Sequence, residues 1–429
     1  MNAPTNYMNY WCIFYFKKMK ILLKMNSQKS CIICCFLNFL IASIMGLLMR
    51  FSYLFPLNIN YIYLLHAHSH VAMLGWVYLM IYVLIVHFFI PKNKREKPIY
   101  NQLFWCTECA VVGMMVAFPL QGYALFSILF STAHILLSYI FCRLVWKDSP
   151  PAKTGSQKLL LTAFLFMVFS TFGVWCLGPA INTLGKQSAF YQIAIQFFLH
   201  FQFNGWFLIA VLALFLKQFT EEIDLKKFNI FLILVIFSTL LTVAFPISWY
   251  VAREAMKWIN TFGVLLQLLA WVYFYRMLKP QIKAFKASLD AIAKIVYGLA
   301  VSSLLLKISI QLLVLFPDLA ETSHQVRNFV VGFIHLTSLG VITGFLFGIL
   351  IQNKMLSSQC YLLRYGIKCF ILGFAATEIL LFLQGIFFYS DKGKLPGYYE
   401  AIFVMSLLIV LGLILILISL LNKKQESIN

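Results

Sequence analysis

The feature that most constrains this chain is a series of twelve apolar stretches, each long enough to cross a lipid bilayer. A membrane-spanning helix needs about 20 predominantly apolar residues. The chain has 62% hydrophobic and 11% charged residues, which is more apolar than soluble proteins tolerate. We therefore predict an all-α polytopic membrane protein with about twelve transmembrane helices. The stretches cover residues 31–54, 68–90, 103–122, 124–145, 158–178, 190–215, 228–247, 258–277, 290–316, 329–351, 362–389 and 399–421.

Lysine and arginine residues concentrate in the loops that follow the even-numbered stretches, as in "PKNKREKP", and in both termini. Cytoplasmic loops carry such an excess, so both termini are predicted to be cytoplasmic. The net charge of +20 is then explained by topology, and we expect no nucleic-acid partner. The predicted organisation is a basic cytoplasmic segment at 1–30, one twelve-helix domain at 31–421 and a short cytoplasmic tail at 422–429. No internal repeat is evident.

Histidines mark the second and tenth stretches. His66, His68 and His70 lie in "YLLHAHSHVAMLGW", and His335 lies inside "VVGFIHLTSLGVITGFLFG". Counted from the cytoplasmic ends of their helices, His70 and His335 differ in depth by only about 3 Å. Two histidines at one depth on different helices can be the two axial ligands of a haem iron.

Helical spacing separates the roles of the three clustered histidines. His66 and His70 are four residues apart and share one helix face, whereas His68 points the opposite way. We therefore predict His70 and His335 as axial ligands and His66 as a second contact with the haem, and we place His68 at the interface with water. Four glycines of the tenth stretch would let a helix or a flat ring approach closely; they are Gly332, Gly340, Gly344 and Gly348.

Twelve spans with histidines on spans two, six and ten resemble subunit I of the haem-copper oxidase superfamily. "HSHVAMLGW" looks like the span-two motif, and His335 in "FIHLTSLG" falls on the opposite ligand of the low-spin haem. His200 in "QFFLHFQFNGWFL" resembles the copper ligand of span six, most closely in the cbb-type and nitric-oxide-reductase branches. The resemblance implies a low-spin haem, of b type and one in number, held by His70 and His335.

The chain departs from the family pattern at the oxygen-reducing centre. Phe333 stands where the resemblance implies the ligand of a high-spin haem, and Ile247 and Ser248 stand where it implies two copper ligands. Copper binding and enzymatic activity as a cytochrome c oxidase, quinol oxidase or nitric oxide reductase are therefore doubtful. His200 is interpreted as a relic of a copper ligand, a polar packing group or part of a differently built site.

Other polar groups also fall at membrane depth. Lys307 and Glu378 are predicted to form an ion pair, because a lone charge in a membrane is costly. The alternatives are a contact of Lys307 with a haem propionate and a role of Glu378 in proton transfer. The remaining candidates have lesser roles: Arg253, Lys257 and Arg327 lie in outer loops where propionates would be, His87 and His134 are treated as structural, and His324 meets water.

We thus expect an integral membrane haem protein, in a bacterial inner membrane, that serves electron transfer or a respiratory role. Its expected partners are lipid, other respiratory subunits, and a cytochrome or quinol electron donor. The alternative is a secondary transporter that uses His66, His68 and His70 to bind a metal or a proton-coupled substrate.

Overall fold

The computed structural model describes residues 27–219, 223–251 and 253–422. Within these residues twelve helices are long and apolar enough to cross a membrane, and no strand occurs. The all-α class and the number of spans are therefore confirmed. Numbered one to twelve, the spans are Gln28–Phe51, Tyr61–Phe89, Pro98–Gln121, Leu125–Asp148, Gly155–Thr183, Ala189–Leu216, Leu225–Ser248, Glu254–Leu278, Ala291–Leu313, Arg327–Gln352, Tyr361–Tyr389 and Tyr398–Leu421.

Side-chain caps define where several spans begin. The Asn60 side chain accepts hydrogen bonds from the backbone N–H groups of Ile62 and Tyr63, and Ser188 accepts one from Tyr191. Such caps satisfy N–H groups that have no partner inside the helix. They set the first turns of spans two and six, and so the depth of the histidines further along. Three short helices lie in the loops, at Lys92–Arg95, Ile282–Ser288 and Pro317–Gln325.

Spans two, six and ten form the centre of the molecule. They are the most enclosed, with 72%, 83% and 78% of their apolar windows buried. Span two packs on spans one and three, span six on span five, and span ten on spans nine and eleven, while span twelve returns to span one. The Trp76 indole of span two donates to the Thr343 hydroxyl of span ten at 2.9 Å. The central spans are therefore joined directly to one another.

Small residues set the contact between spans nine and ten. A Cβ added at Gly344 would lie 2.9 Å from the Ala300 Cβ, and one at Gly348 would lie 2.6 Å from the Tyr297 ring. Glycine at these positions allows the two backbones to approach closely. Of the two groups expected to approach these glycines, a helix or a flat ring, it is the helix of span nine that lies against Gly344 and Gly348.

Two of the predicted segments fall largely outside the described part of the chain. Of the basic segment at 1–30, residues 1–26 are outside it, as are residues 423–429 of the tail.

We call the side of the bundle at which the odd-numbered spans end the outer end. The loop charges predict that this side faces away from the cytoplasm.

Candidate functional site

Three histidines in the central spans each lie at a change of helix type. Spans two, six and ten become π-helical directly after a histidine, the pairs being His70 with Val71–Tyr78, His200 with Phe201–Phe207 and His335 with Leu336–Ile342. π-Helical turns inside α-helices are rare and occur frequently at functional sites. Each of the three central spans therefore has a histidine at the point where its α-helix changes to a π-helical turn.

A glycine follows each of these histidines by five positions, as Gly75, Gly205 and Gly340. A Cβ added at Gly75 would lie 2.9 Å from Asn38 of span one. One added at Gly205 would lie 2.7 Å from Phe166 of span five, and one at Gly340 would lie 2.5 Å from Ser303 of span nine. Each glycine thus contacts the span that precedes its own. This His-x-x-x-x-Gly pattern recurs every fourth span, so the expectation of no internal repeat is incomplete: the signal is in residue spacing, not in overall similarity.

The outer and inner halves of the central spans differ in packing. Nearly every side chain is buried in the inner halves Leu79–Phe89, Leu208–Leu216 and Thr343–Gln352. The outer halves are more open: Tyr61–His70 and Ala189–His200 each bury two residues, and Arg327–His335 buries none. The outer halves of the central spans are therefore less completely enclosed than the inner halves, and the three histidines lie where the burial changes.

His335 lies at the end of the less enclosed outer half of span ten. Its side chain is 23% exposed although it is eight residues inside span ten, and its Nδ1 is 3.9 Å from the Oε1 of Glu378 in span eleven. That oxygen is buried and has no hydrogen-bond partner among the described residues. Gly332, one turn outward, leaves room, since an added Cβ would have its nearest neighbour at 3.6 Å. The carboxylate thus lies beside the Nδ1 edge of the imidazole, at a distance longer than a hydrogen bond.

His68 is turned toward span one, whereas the sequence predicts a position at the interface with water. Its Nδ1–H donates to the Ala42 carbonyl of span one at 2.8 Å, and its ring contacts Gly46. It is half-buried and lies close enough to His335 for the two rings to interact electrostatically. The bond to Ala42 leaves Nε2 unprotonated, and Nε2 makes no hydrogen bond to a described residue. The His68 ring is thus hydrogen-bonded to span one and half-buried.

His70 and His66 share the opposite face, as predicted, but that face is turned toward spans three and four. The His70 Nδ1–H donates to the His66 carbonyl at 2.8 Å, and its ring lies 4.3 Å from that of Phe118. Tyr123, in the loop after span three, is 3.5 Å from His70 Nε2 and stacks edge-on against His66. His134 of span four is close to His70 as well. His70 is therefore in contact with residues that follow or belong to span three, whereas His68 is hydrogen-bonded to span one.

His200 is held by the protein itself. Its Nε2–H donates to the Thr239 carbonyl of span seven at 2.9 Å, and Asn204 lies 3.5 Å from its Nδ1. The Ser248 hydroxyl donates to the Phe245 carbonyl of its own helix. These contacts agree best with the interpretation of His200 as a polar packing group.

The predicted ion pair between Lys307 and Glu378 is not formed. The Lys307 ammonium donates to Gln311 at 3.0 Å and lies 5.2 Å from the ring centre of Phe333. Glu378 faces His335 instead. The two residues have similar depths but point into different parts of the bundle, so depth alone could not establish the pair.

The cationic side chains near the outer end differ in exposure and in their contacts. The Arg327 guanidinium lies 5.6 Å from the ring of Tyr61, whereas Arg253 and Lys257 are exposed at the start of span eight. Arg50, near the end of span one, was not among the sequence candidates, yet it lies within electrostatic range of His335 and Glu378. A lone arginine at the end of an apolar stretch is common, so its sequence position carries little signal.

The other histidines have packing contacts. His87 is 3.2 Å from Gln28 at the inner end of span one, and the buried His134 packs on Tyr78. His324 is exposed and stacks on Trp249.

In the described part of the chain no group of three or more His, Cys, Asp or Glu side chains is arranged to hold a metal ion. Cys31 and Cys34 are buried free thiols, and Cys106 and Cys109 are exposed free thiols. No protein-family model matches the chain, and no curated protein matches it in sequence.

Proposed function

We propose that this chain is an integral membrane protein that holds one low-spin b-type haem between spans two and ten, with His68 and His335 as axial ligands. The observation that carries the proposal is common to both histidines. Each turns Nδ1 toward an acceptor, the Ala42 carbonyl or the Glu378 carboxylate, and leaves Nε2 without a hydrogen bond to a described residue. Histidines that bind metals through one nitrogen are typically oriented in this way through the other.

Depth and packing support the same pair. His68 is seven residues below Tyr61, about 10 Å, and His335 is eight residues below Arg327, about 12 Å. Both lie where the outer halves of the central spans are incompletely packed. A flat macrocycle would fill this space with apolar contacts.

The proposed role is electron transfer. A haem with two imidazole ligands supplies a one-electron iron couple and has no open coordination position. Reduction of oxygen or nitric oxide is not proposed, because His200 bonds to Thr239 and Phe333 cannot bind iron. We place the protein in a bacterial plasma membrane, with a quinol or a cytochrome as electron donor and other respiratory subunits as partners.

Absorption spectroscopy of the purified protein tests the proposal. We expect a low-spin b-type signal in the reduced-minus-oxidised difference spectrum and one haem per chain in a pyridine haemochrome assay. His335→Ala and His68→Ala should each abolish the low-spin signal, whereas His70→Ala, two residues away on the opposite face, should retain it. A haem-replete preparation without this signal would refute the proposal, and loss in His70→Ala but not in His68→Ala would refute the assignment of ligands.

The transporter alternative draws on the cluster of His66, His68 and His70, but no specific observation favours it. A substrate would have to pass the inner halves of the central spans, which are apolar and closely packed. Uptake that is lost in His335→Ala with no haem in the wild type would favour the transporter.

A further inference from the structure

A cavity of about 420 Å³ lies at the inner end of the bundle, the side at which the even-numbered spans end. Its apolar base comes from three spans: Phe89 ends span two, Val145 lies in the last turn of span four, and Leu160 lies in the second turn of span five. Its polar rim is formed by residues 149–152, which join spans four and five, and by Gln157. Ligand sites in proteins typically measure about 300–1,000 Å³. The cavity therefore has the size and the two-part lining of a site for an amphipathic molecule.

The cavity opens toward the lipid. Span four, which forms one of its walls, is the least enclosed of the twelve described spans, with 22% of its apolar window buried. Trp146 lines the cavity and is 66% exposed at the inner end of this span. Tryptophan is enriched where the hydrocarbon of a bilayer meets the headgroups. A molecule that enters here therefore comes from the inner leaflet, with its apolar part toward the bilayer.

The rim has hydrogen-bonding groups that the protein itself does not use. The Ser149 hydroxyl oxygen is buried and has no hydrogen-bond partner among the described residues. The side-chain oxygen of Gln157 accepts from the backbone N–H groups of Lys153 and Thr154. Its amide nitrogen, which can only donate, makes no hydrogen bond to a described residue. Because buried polar groups normally have partners, a ligand suited to this rim is an acceptor of hydrogen bonds.

The charge around the rim is positive. Residues 143–158 contain four Lys or Arg and one acidic residue, Asp148. Asp148 forms an ion pair with Lys94 at 3.3 Å, so its charge is already balanced. Lys147 and Lys153, on either side of the rim segment, are exposed and form no ion pair with a described residue. A phosphate supplies both the negative charge and the acceptor oxygens that this arrangement matches.

We propose that the cavity binds a glycerophospholipid with an anionic headgroup from the inner leaflet. The acyl chains lie against the apolar base, and the phosphate accepts hydrogen bonds from Ser149 and Gln157. Lys147 and Lys153 select for a headgroup of net negative charge, as basic pockets between membrane helices do. The site lies in the other half of the bundle from the proposed haem, so the two proposals stand or fall separately.

Lipid binding to the full-length, delipidated protein in detergent tests the proposal. Phosphatidylglycerol and phosphatidylcholine with the same acyl chains are titrated, and bound lipid is counted by native mass spectrometry. We expect the wild type to bind phosphatidylglycerol about tenfold more tightly, an effect typical of one or two lysines beside an anionic headgroup. The double variant Lys147→Gln/Lys153→Gln should bind the two lipids with nearly equal affinity. Ser149→Ala should weaken the binding of both lipids about fivefold and leave their ratio unchanged, because both contain the phosphate.

Lys279→Gln/Lys283→Gln is the matched control. These two lysines are also exposed at the inner end, after span eight, so the double variant removes the same charge away from the cavity and should keep the wild-type ratio. The ratio is measured within each variant, so a partial loss of folded protein does not change it. Equal affinity of the wild type for the two lipids, or an equal loss of preference in both double variants, would overturn the proposal. Unchanged binding of both lipids by Ser149→Ala would overturn the assignment of the cavity as the site.

Discussion

Replacement of Glu378 tests how the protein orients His335. The carboxylate is 3.9 Å from the imidazole Nδ1, and within the described part of the chain its Oε1 has no hydrogen-bond partner. At that distance the contact is longer than a hydrogen bond. We therefore expect it to shorten when Nε2 of His335 binds iron, because the Nδ1–H then becomes a stronger donor.

The size of the effect follows from this geometry. Removing the hydrogen-bond partner of a metal-bound histidine typically lowers metal affinity about 10–100-fold. Since the contact must shorten on binding, Glu378→Ala should fall at the lower limit, a loss of about tenfold or about 1.4 kcal/mol. Glu378→Gln keeps an oxygen acceptor at the same length without the charge, so it should lose less.

The assay is a haem titration of purified apoprotein, followed by Soret absorbance. Glu108 provides a matched control. It is also a carboxylate inside a span, only 8% exposed, but it accepts a hydrogen bond from Asn38 at 2.8 Å. Glu108→Gln should therefore leave the haem affinity unchanged. If Glu378→Ala bound haem as tightly as the wild type, or if Glu108→Gln lost as much affinity, the assignment of Glu378 as the partner of His335 would be wrong.

Three further predictions concern packing and copper. Gly344→Ala should lower the stability against thermal unfolding by about 1–3 kcal/mol, because the new methyl group meets span nine; Gly298→Ala, with nothing within 4 Å, should leave it unchanged or raise it. Trp76→Phe removes the hydrogen bond to Thr343 and should cost about 0.6 kcal/mol in the same measurement, beyond the loss of packing. Elemental analysis should find less than one copper per chain in the wild type, and the copper content should be unchanged in His200→Ala. One copper per chain in the wild type that is lost in His200→Ala would contradict the packing role of His200.

The twelve spans could be predicted because a bilayer imposes length and composition on each helix separately. Depth follows from the same rule, so His335 and the cluster at His66, His68 and His70 could be placed at a common level. None of these inferences requires knowledge of which helices are neighbours.

The choice between His68 and His70 did require knowledge of which helices are neighbours. Successive residues of an α-helix are rotated by about 100°, so two residues separated by one other point to nearly opposite sides. Sequence spacing showed that the two histidines face apart, but not which face meets span ten. The assignment of His70 was therefore a choice between faces that the sequence could not make.

The expected pair of Lys307 and Glu378 was wrong for the same reason. Both lie inside spans at similar depth, and a pairing of opposite charges is the simplest arrangement in a medium of low dielectric constant. The structure instead places Lys307 with Gln311 and Phe333, and Glu378 with His335.

By itself the sequence determined that this chain is a membrane protein of twelve helices, with polar groups at defined depths in several of them. Only the tertiary structure decided which groups meet, bringing Glu378 to within 3.9 Å of His335, His68 to the Ala42 carbonyl of span one, and His70 to Phe118 and Tyr123. The physical reason is that hydropathy fixes position along the membrane normal, whereas rotation about each helix axis depends on packing against neighbouring spans.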